Sequence, residues 1–128
     1  MSDPLIAAAR AVRENAHAPF SGFQVGAAVE DSSGRIHTGC NVENATFGLT
    51  ICAERVAIFK AVSEGARGFK RVAVVAATDR LTPPCGACRQ ILWELCGDVE
   101  IVLANLDGKS ETMRLAALFP RPFDASLL

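Results

Sequence analysis

Cys52-Ala53-Glu54 and Pro84-Cys85-Gly86-Ala87-Cys88 are the two stretches of the chain that decide its fold and its chemistry. Together they supply three thiolates that can hold one zinc ion, and a carboxylate two residues after the first cysteine. Three protein ligands leave a tetrahedral zinc one ligand short, and in catalytic sites that position holds a water molecule. The pattern therefore predicts a hydrolytic zinc site in which Glu54 moves protons without being a ligand.

The segments around these motifs predict an α/β fold. The first motif lies at the start of a helix over about 51–64, and the β-branched run 71–77 is typical of a central strand buried on both faces. The second motif lies at the start of a second helix over about 85–96, and a buried strand over 99–103 follows. Both helices are crossovers that begin at one edge of the sheet, where α/β folds place ligands.

The rest of the chain completes a mixed five-stranded sheet with helices on both faces. Ser2 and Pro4 open a helix over 3–16, and Asp31-Ser32-Ser33-Gly34 is a hairpin turn signal. The other predicted elements are strands over 23–30 and 35–40, a weak strand after Gly108 and a closing helix over 114–119. We expect one domain over residues 1–128.

Composition excludes several classes of protein. A chain with 50% hydrophobic and 21% charged residues is not disordered, and a net charge of −1 argues against nucleic-acid binding. No run approaches the roughly 18 uncharged apolar residues of a membrane span, and the N-terminus shows no export signal. Five cysteines without such a signal indicate the cytoplasm, with Cys40 and Cys96 expected to be buried apolar residues.

The cysteines are also compatible with two alternatives to a catalytic zinc site. A Cys-x-x-Cys pair can be a redox dithiol, but such a pair needs neither a third thiol nor a nearby glutamate. A structural zinc needs a fourth ligand. Cys96 lies too far along its helix, Cys40 reaches the metal only if its strand ends there, and His17 and His37 are predicted to be a loop residue and an exposed strand residue. A small module with a structural zinc stays an alternative.

Glu54 and the arginines Arg55 and Arg89 complete the predicted site. A glutamate in the first turn of a helix can be there only because its negative charge interacts favourably with the helix dipole. Burial of a carboxylate lowers the stability of the fold, however, so a buried Glu54 indicates a function. Burial would raise the pKa of Glu54 towards neutrality. Three thiolates on Zn²⁺ carry a net charge of −1, so hydrogen bonds from an arginine to the sulfurs would offset it, and we favour Arg55 for that role.

Several stretches in the same order resemble zinc-dependent cytidine deaminases of the short, homotetrameric type. They are residues 18–28, 38–45, 52–55, 84–90 and 118–123. The resemblance implies a three-layer α/β/α cytidine-deaminase-like fold and hydrolysis of cytidine and 2′-deoxycytidine to uridine and 2′-deoxyuridine with release of ammonia, a step of pyrimidine salvage. It also implies one Zn²⁺ per subunit on Cys52, Cys85 and Cys88, with hydroxide attacking C4 while Glu54 shuttles protons.

The resemblance also implies substrate contacts. Phe23 would lie against the base, Asn41 and Glu43 would hydrogen-bond the ribose 3′-hydroxyl, and the backbone of Ala53 would hold the pyrimidine carbonyl. Phe123 would reach the base from a neighbouring subunit, so that the homotetramer shares its active sites. From the residues alone, a phenylalanine at the start of a strand, such as Phe23, is usually a core residue, and Phe123 in its proline-rich tail could be a terminal anchor.

One departure from the family and two other substrates bear on these expectations. The chain has no tyrosine, and Phe20 and Phe47 stand where the family commonly has one. Blasticidin S and cytosine in a polynucleotide are alternative substrates for the same chemistry. The Asn41 and Glu43 pair speaks against the antibiotic, which lacks an ordinary ribose, and the near-neutral charge speaks against the polynucleotide.

Overall fold

The computed structural model describes residues 3–128, and across them it contains a five-stranded mixed sheet in the order β2-β1-β3-β4-β5. The strands are β1 (Val25–Asp31), β2 (Ile36–Cys40), β3 (Phe69–Ala76), β4 (Glu100–Ala104) and β5 (Ser110–Arg114). The helices are α1 (Pro4–Arg13), α2 (Ala53–Ser63), α3 (Gly86–Cys96) and α4 (Leu115–Leu118), with short 3-10 turns at Phe47–Leu49 and Ala125–Leu127. The predicted α/β fold is confirmed.

Strand β3 forms the centre of the sheet, as its apolar sequence predicts. Val72 and Val74 point into the core beneath α2, α3 and α4, whereas Ala73 and Val75 pack beneath α1. Successive side chains of a strand point to opposite faces, so a strand with helices on both sides needs apolar residues at every position. This burial fixes the order of the three layers.

Two crossover helices place the site at one edge of the sheet. Strand β1 is antiparallel to both β2 and β3, so β2 and β3 run in the same direction and α2 connects them. Strands β3 and β4 are parallel and α3 connects them. Parallel strands need such a crossover. Both α2 and α3 therefore begin at the same edge, which brings Cys52 and Cys85 together.

Helix α1 is shorter than the sequence predicts. Asp3 is its N-cap and accepts a hydrogen bond from the Leu5 N–H, while Pro4 occupies the first helical position. Ser2, expected to open the helix, lies outside the described residues. The helix ends at Arg13 because the next residues make tighter i to i+3 bonds, among them Asn15 N–H to the Val12 carbonyl.

The prediction that His37 is exposed is wrong. Its ring is buried, with Nε2 2.9 Å from Asp31 Oδ2 and Nδ1 3.1 Å from Glu64 Oε1. Helix α2 covers this face of β2, and Glu64 follows its last turn. Cys40 and Cys96 are partly buried rather than fully so.

The part of the chain that the structure describes contains no helix long and apolar enough to cross a lipid bilayer.

Candidate active site

Three cysteine side chains converge where α2 and α3 begin. Cys52 and Cys85 are the N-cap residues of the two helices, and Cys88 lies in the first turn of α3. Their three sulfur atoms lie within 4.8 Å of one another, and the Sγ atoms of Cys52 and Cys85 are 3.8 Å apart. A tetrahedral zinc with Zn–S bonds of about 2.3 Å requires sulfur atoms about 3.8 Å apart. The cluster therefore fits one Zn²⁺ ion.

The surroundings of the cluster favour a thiolate at Cys52. Both helix N-termini direct partial positive charge at the sulfurs. Hydrogen bonds from the Cys88 thiol and from Arg55, whose Nη2 lies 3.4 Å from Cys52 Sγ, lower the pKa of Cys52 to about 5. The hydrogen bond that Cys88 donates to Cys52, together with burial, raises the pKa of Cys88. Metal binding displaces the protons of cysteine ligands, so a Zn²⁺ ion at this position would let all three sulfurs ionise.

The two arginines of the motifs have different contacts. Arg55 donates to Cys52 and carries a pKa raised by that hydrogen bond, so its positive charge stays beside the sulfurs. Arg89 instead donates to the backbone carbonyls of Pro84 and Leu118, at 2.8 and 2.7 Å. Arg89 therefore ties the start of α3 to the end of α4.

Glu54 is a buried carboxyl group beside the cluster. It occupies the second position of α2 and is only 4% exposed. Burial, reinforced by the negative charge of Cys52, raises its pKa to about 7. A carboxyl group with such a pKa exists in both protonation states near neutral pH and can accept and release protons.

A cavity of about 170 Å³ lies directly over Glu54 and two of the cysteines. It brings together four of the residues that the sequence singles out for substrate and catalysis, namely Phe23, Asn41, Ala53 and Glu54. The full lining is Phe23, Val25, Asn41, Thr50, Cys52, Ala53, Glu54, Thr82, Pro83 and Cys85. Sequence reasoning missed Thr50 and Thr82, because nothing in a single sequence distinguishes them from other loop threonines.

Asn41 is buried and holds the chain on both sides of Gln24. Its Oδ1 accepts a hydrogen bond from the Val25 N–H at 2.8 Å, and its Nδ2 donates to the Phe23 carbonyl at 2.7 Å. Each of these atoms still has one unused bonding site, which can face a ligand. Asn41 thus shapes the cavity wall as well as lining it.

Glu43 and Phe123 do not line this cavity. Glu43 lines a wider adjoining cleft of about 350 Å³ together with Phe20, Ser21, Phe47 and Thr50, and Thr50 is common to both spaces. Phe20 and Phe47 pack edge to face there, with ring centroids 6.1 Å apart. Phe123 is 58% exposed, and its carbonyl accepts a hydrogen bond from Gln90 on α3.

The chain is similar to proteins of one family. Residues 2–104 match the model of the cytidine and deoxycytidylate deaminase zinc-binding region. The chain is 50% identical over 122 residues to a cytidine deaminase of Halalkalibacterium halodurans, covering 94% of this chain and 92% of that protein. It is 31% identical over 104 residues to a blasticidin-S deaminase of Bacillus cereus, covering 75% and 74% of the two proteins.

The fold has a close structural counterpart. The crystal structure of cytidine deaminase from Burkholderia pseudomallei superposes with a TM-score of 0.92 at 46% identity, and covers 96% of this chain and 100% of that one. Sequence, fold and metal cluster thus lead to the same group of proteins.

Proposed function

The chain belongs to the zinc-binding cytidine and deoxycytidylate deaminase family, and we propose that it hydrolyses cytidine and 2′-deoxycytidine to uridine and 2′-deoxyuridine with release of ammonia. The observation that carries this proposal is the position of Glu54. Its buried carboxyl group and two of the three cysteines line one small cavity. A proton carrier therefore lies beside a metal site with room for a water molecule and a base.

Each part of this arrangement has a task in the reaction. A zinc ion on Cys52, Cys85 and Cys88 would lower the pKa of a water molecule and supply a nucleophile at neutral pH. Glu54 would accept a proton from the attacking water and deliver it to N3 of the pyrimidine as the oxygen bonds to C4. It would then move the proton of the new C4 hydroxyl to the amine, so that the C4–N bond breaks and ammonia leaves. Arg55 offsets the negative charge of the thiolates through its hydrogen bond to Cys52.

The substrate contacts are also proposals. Phe23 lies against the base, and the N–H of Ala53 holds the pyrimidine carbonyl, since the first N–H groups of a helix have no partner within it. Asn41 and Glu43 hold the ribose 3′-hydroxyl. Support comes from the lining of the cavity and from the adjoining cleft that contains Glu43.

A nucleoside suits this site better than a nucleotide. None of the lining residues described for the cavity or its adjoining cleft is lysine or arginine. Hydrogen bonds, above all from the Ser21 hydroxyl, lower the pKa of Glu43, so it carries a negative charge that repels phosphate. Blasticidin S is the second candidate substrate, favoured by the identity to its deaminase. The Asn41 and Glu43 pair, suited to a sugar hydroxyl, favours the nucleoside.

We further propose that the whole chain, 1–128, is one deaminase domain that assembles as a homotetramer in the cytoplasm. Exposed large apolar side chains support assembly, because contact with a partner subunit would remove them from water. They include Phe20, Phe47, Leu49, Phe123 and Leu127. In the tetramer Phe123 would reach the base bound by a neighbouring subunit. Five free thiols support a reducing compartment.

Ultraviolet absorbance of cytidine, followed with zinc-loaded protein and with Glu54→Gln, tests the proposal. We expect conversion to uridine by the wild type alone, because glutamine cannot carry the proton. Deoxycytidylate, blasticidin S and a single-stranded oligonucleotide are assayed in parallel. Preference for one of these, or equal rates for both proteins, would contradict the proposed function.

A further inference from the structure

The hydroxyl of Ser21 joins Glu43 to the backbone of Phe23. Ser21 Oγ donates a hydrogen bond to Glu43 Oε2 and accepts one from the Phe23 N–H at 3.0 Å. Ser21 lies in the loop that enters β1 and also lines the cleft beside the substrate cavity. It has no role in the reaction outlined above.

The bonds to Glu43 leave room for one more donor. Oε1 accepts the N–H groups of Phe20 and Ser21 at 3.0 and 3.1 Å, and Oε2 accepts the Ser21 hydroxyl. An ionised carboxylate offers about four acceptor sites, so one site on Oε2 stays open. Because Glu43 is held ionised, that site accepts a hydroxyl or N–H donor and cannot itself donate.

Phe23 is held from both sides by polar side chains. Its N–H donates to Ser21 and its carbonyl accepts from Asn41, because β1 begins only at Val25 and no strand pairing reaches Phe23. The Phe23 side chain lines the substrate cavity. The position of its ring therefore depends on side chains that lie on the sugar side of the site.

We propose that Ser21 is a positioning residue that couples sugar recognition to base recognition. Its hydroxyl turns Oε2 of Glu43 towards the sugar and holds the Phe23 backbone so that the ring meets the base. The inference rests on the proposed function, since it takes Glu43 as the acceptor of the ribose 3′-hydroxyl. A nucleoside without that hydroxyl cannot use the arrangement.

Steady-state kinetics of Ser21→Ala with cytidine and with 3′-deoxycytidine test this role. We expect KM for cytidine to rise about tenfold while kcat stays within about twofold, as for loss of a charge-assisted hydrogen bond. KM for 3′-deoxycytidine should rise by less, because this nucleoside loses only the support that Ser21 gives to Phe23. Ser21→Thr, which keeps the hydroxyl, should restore KM for cytidine. Ser63→Ala, which removes a hydroxyl bonded to the Lys60 carbonyl at the far end of α2, is the matched control.

A general loosening of the loop predicts a different result. It would raise KM for both substrates equally, and that outcome would overturn the proposal. In a Glu43→Gln background, Ser21→Ala should raise KM for cytidine only by the smaller factor seen with 3′-deoxycytidine, whereas a full additive effect would show that the two residues act separately. If Ser21→Ala lowers the melting temperature too far for assay, Ser21→Cys keeps the shape and weakens the hydrogen bonds.

The link can also be tested without activity. Hydrogen exchange of the Phe23 amide should be slow in the wild type and in Ser21→Thr, and fast in Ser21→Ala. A wild type that leaves cytidine unchanged would overturn the proposed function, while unchanged exchange in Ser21→Ala would overturn the link itself.

Discussion

Gly39 of β2 packs directly against the backbone of Ala57 in α2. A Cβ at position 39 would lie 2.4 Å from the Ala57 nitrogen and 2.7 Å from the Ala53 carbonyl oxygen. Real Cβ atoms do not approach backbone so closely, so glycine sets the distance between the strand and the helix. Because Cys52 and Glu54 lie at the beginning of α2, this contact also sets their depth in the site.

Gly39→Ala should therefore damage stability and catalysis together. The added methyl group must push α2 away from the sheet, which should lower the free energy of unfolding by about 3 kcal/mol. Displacement of Glu54 should lower kcat by at least about tenfold. Urea unfolding and the cytidine assay measure both effects. Gly48→Ala, where a Cβ meets open space, is the control, and equal behaviour of the two variants would contradict the packing argument.

Cys88→Ser should remove zinc, and Cys96→Ser should not. Both residues belong to α3, but only the sulfur of Cys88 is part of the metal cluster. Cys96 is an isolated thiol whose pKa burial raises to about 12, so it is not prepared to bind a metal. Metal analysis of the purified variants checks this. Full zinc content in Cys88→Ser would show that the cluster is not the metal site.

Arg55→Gln should keep the metal and lose activity. Its guanidinium donates to Cys52, and loss of such a bond to a metal ligand typically costs between about 10- and 100-fold in activity or metal affinity. We expect kcat to fall by that factor at saturating zinc. Arg67→Gln, which removes an arginine bonded to the backbone carbonyls of Val62 and Ala66, serves as the control. An unchanged kcat in Arg55→Gln would exclude the charge-compensating role.

His37→Leu should destabilise the protein without changing the geometry of the active site. The substitution leaves Asp31 Oδ2 and Glu64 Oε1 without the ring nitrogens that they now contact. We expect a loss of about 2 kcal/mol in the free energy of unfolding, as for a buried polar group that loses a partner, here Asp31, and an unchanged kcat in the folded variant. His17→Leu, at an exposed position, should change stability by less than about 0.5 kcal/mol.

Asp31 should contribute to the acid sensitivity of the fold. Hydrogen bonds, first from the Ser33 hydroxyl and then from the His37 ring, hold its pKa well below the ordinary value. The unfolded chain therefore takes up this proton first, and the contribution of Asp31 is present above about pH 4 and is lost as pH falls further. Unfolding of wild type and Asp31→Asn between about pH 6 and 3 should show a stability difference that shrinks in acid. A constant difference would contradict the assignment.

The main elements of the fold are readable from the sequence because their signals are local. The β-branched run of β3 is apolar at every position, and only a strand covered on both faces accepts that pattern. The burial of His37 could not be read, because strand alternation shows that Ile36 and His37 point to opposite faces but not which face is covered. That depends on α2 and on Glu64, which is 27 residues away along the chain.

The metal cluster could also be predicted, because the spacing of the cysteines by itself indicates a metal site. The hydrogen bonds around Phe23 cannot be predicted from the sequence, because Ser21 and Glu43 look like ordinary loop residues and meet only in the folded chain. A family motif identified Glu43 and Phe123 as candidate substrate contacts, but it could not show that neither residue lines the cavity. Only the structure distinguishes the lining of the cavity from the lining of the adjoining cleft.

The metal cluster joins two points of the chain that are 33 residues apart, Cys52 and Cys85. An ion held by both is a removable cross-link that closes this loop, and a covalent closure of similar length is worth about 3–4 kcal/mol through the entropy of the unfolded chain. A molecule that loses its ion loses its chemistry and this restraint together. Inactive molecules would then open more often and be the first that cellular proteases remove, so the population that survives is enriched in working enzyme.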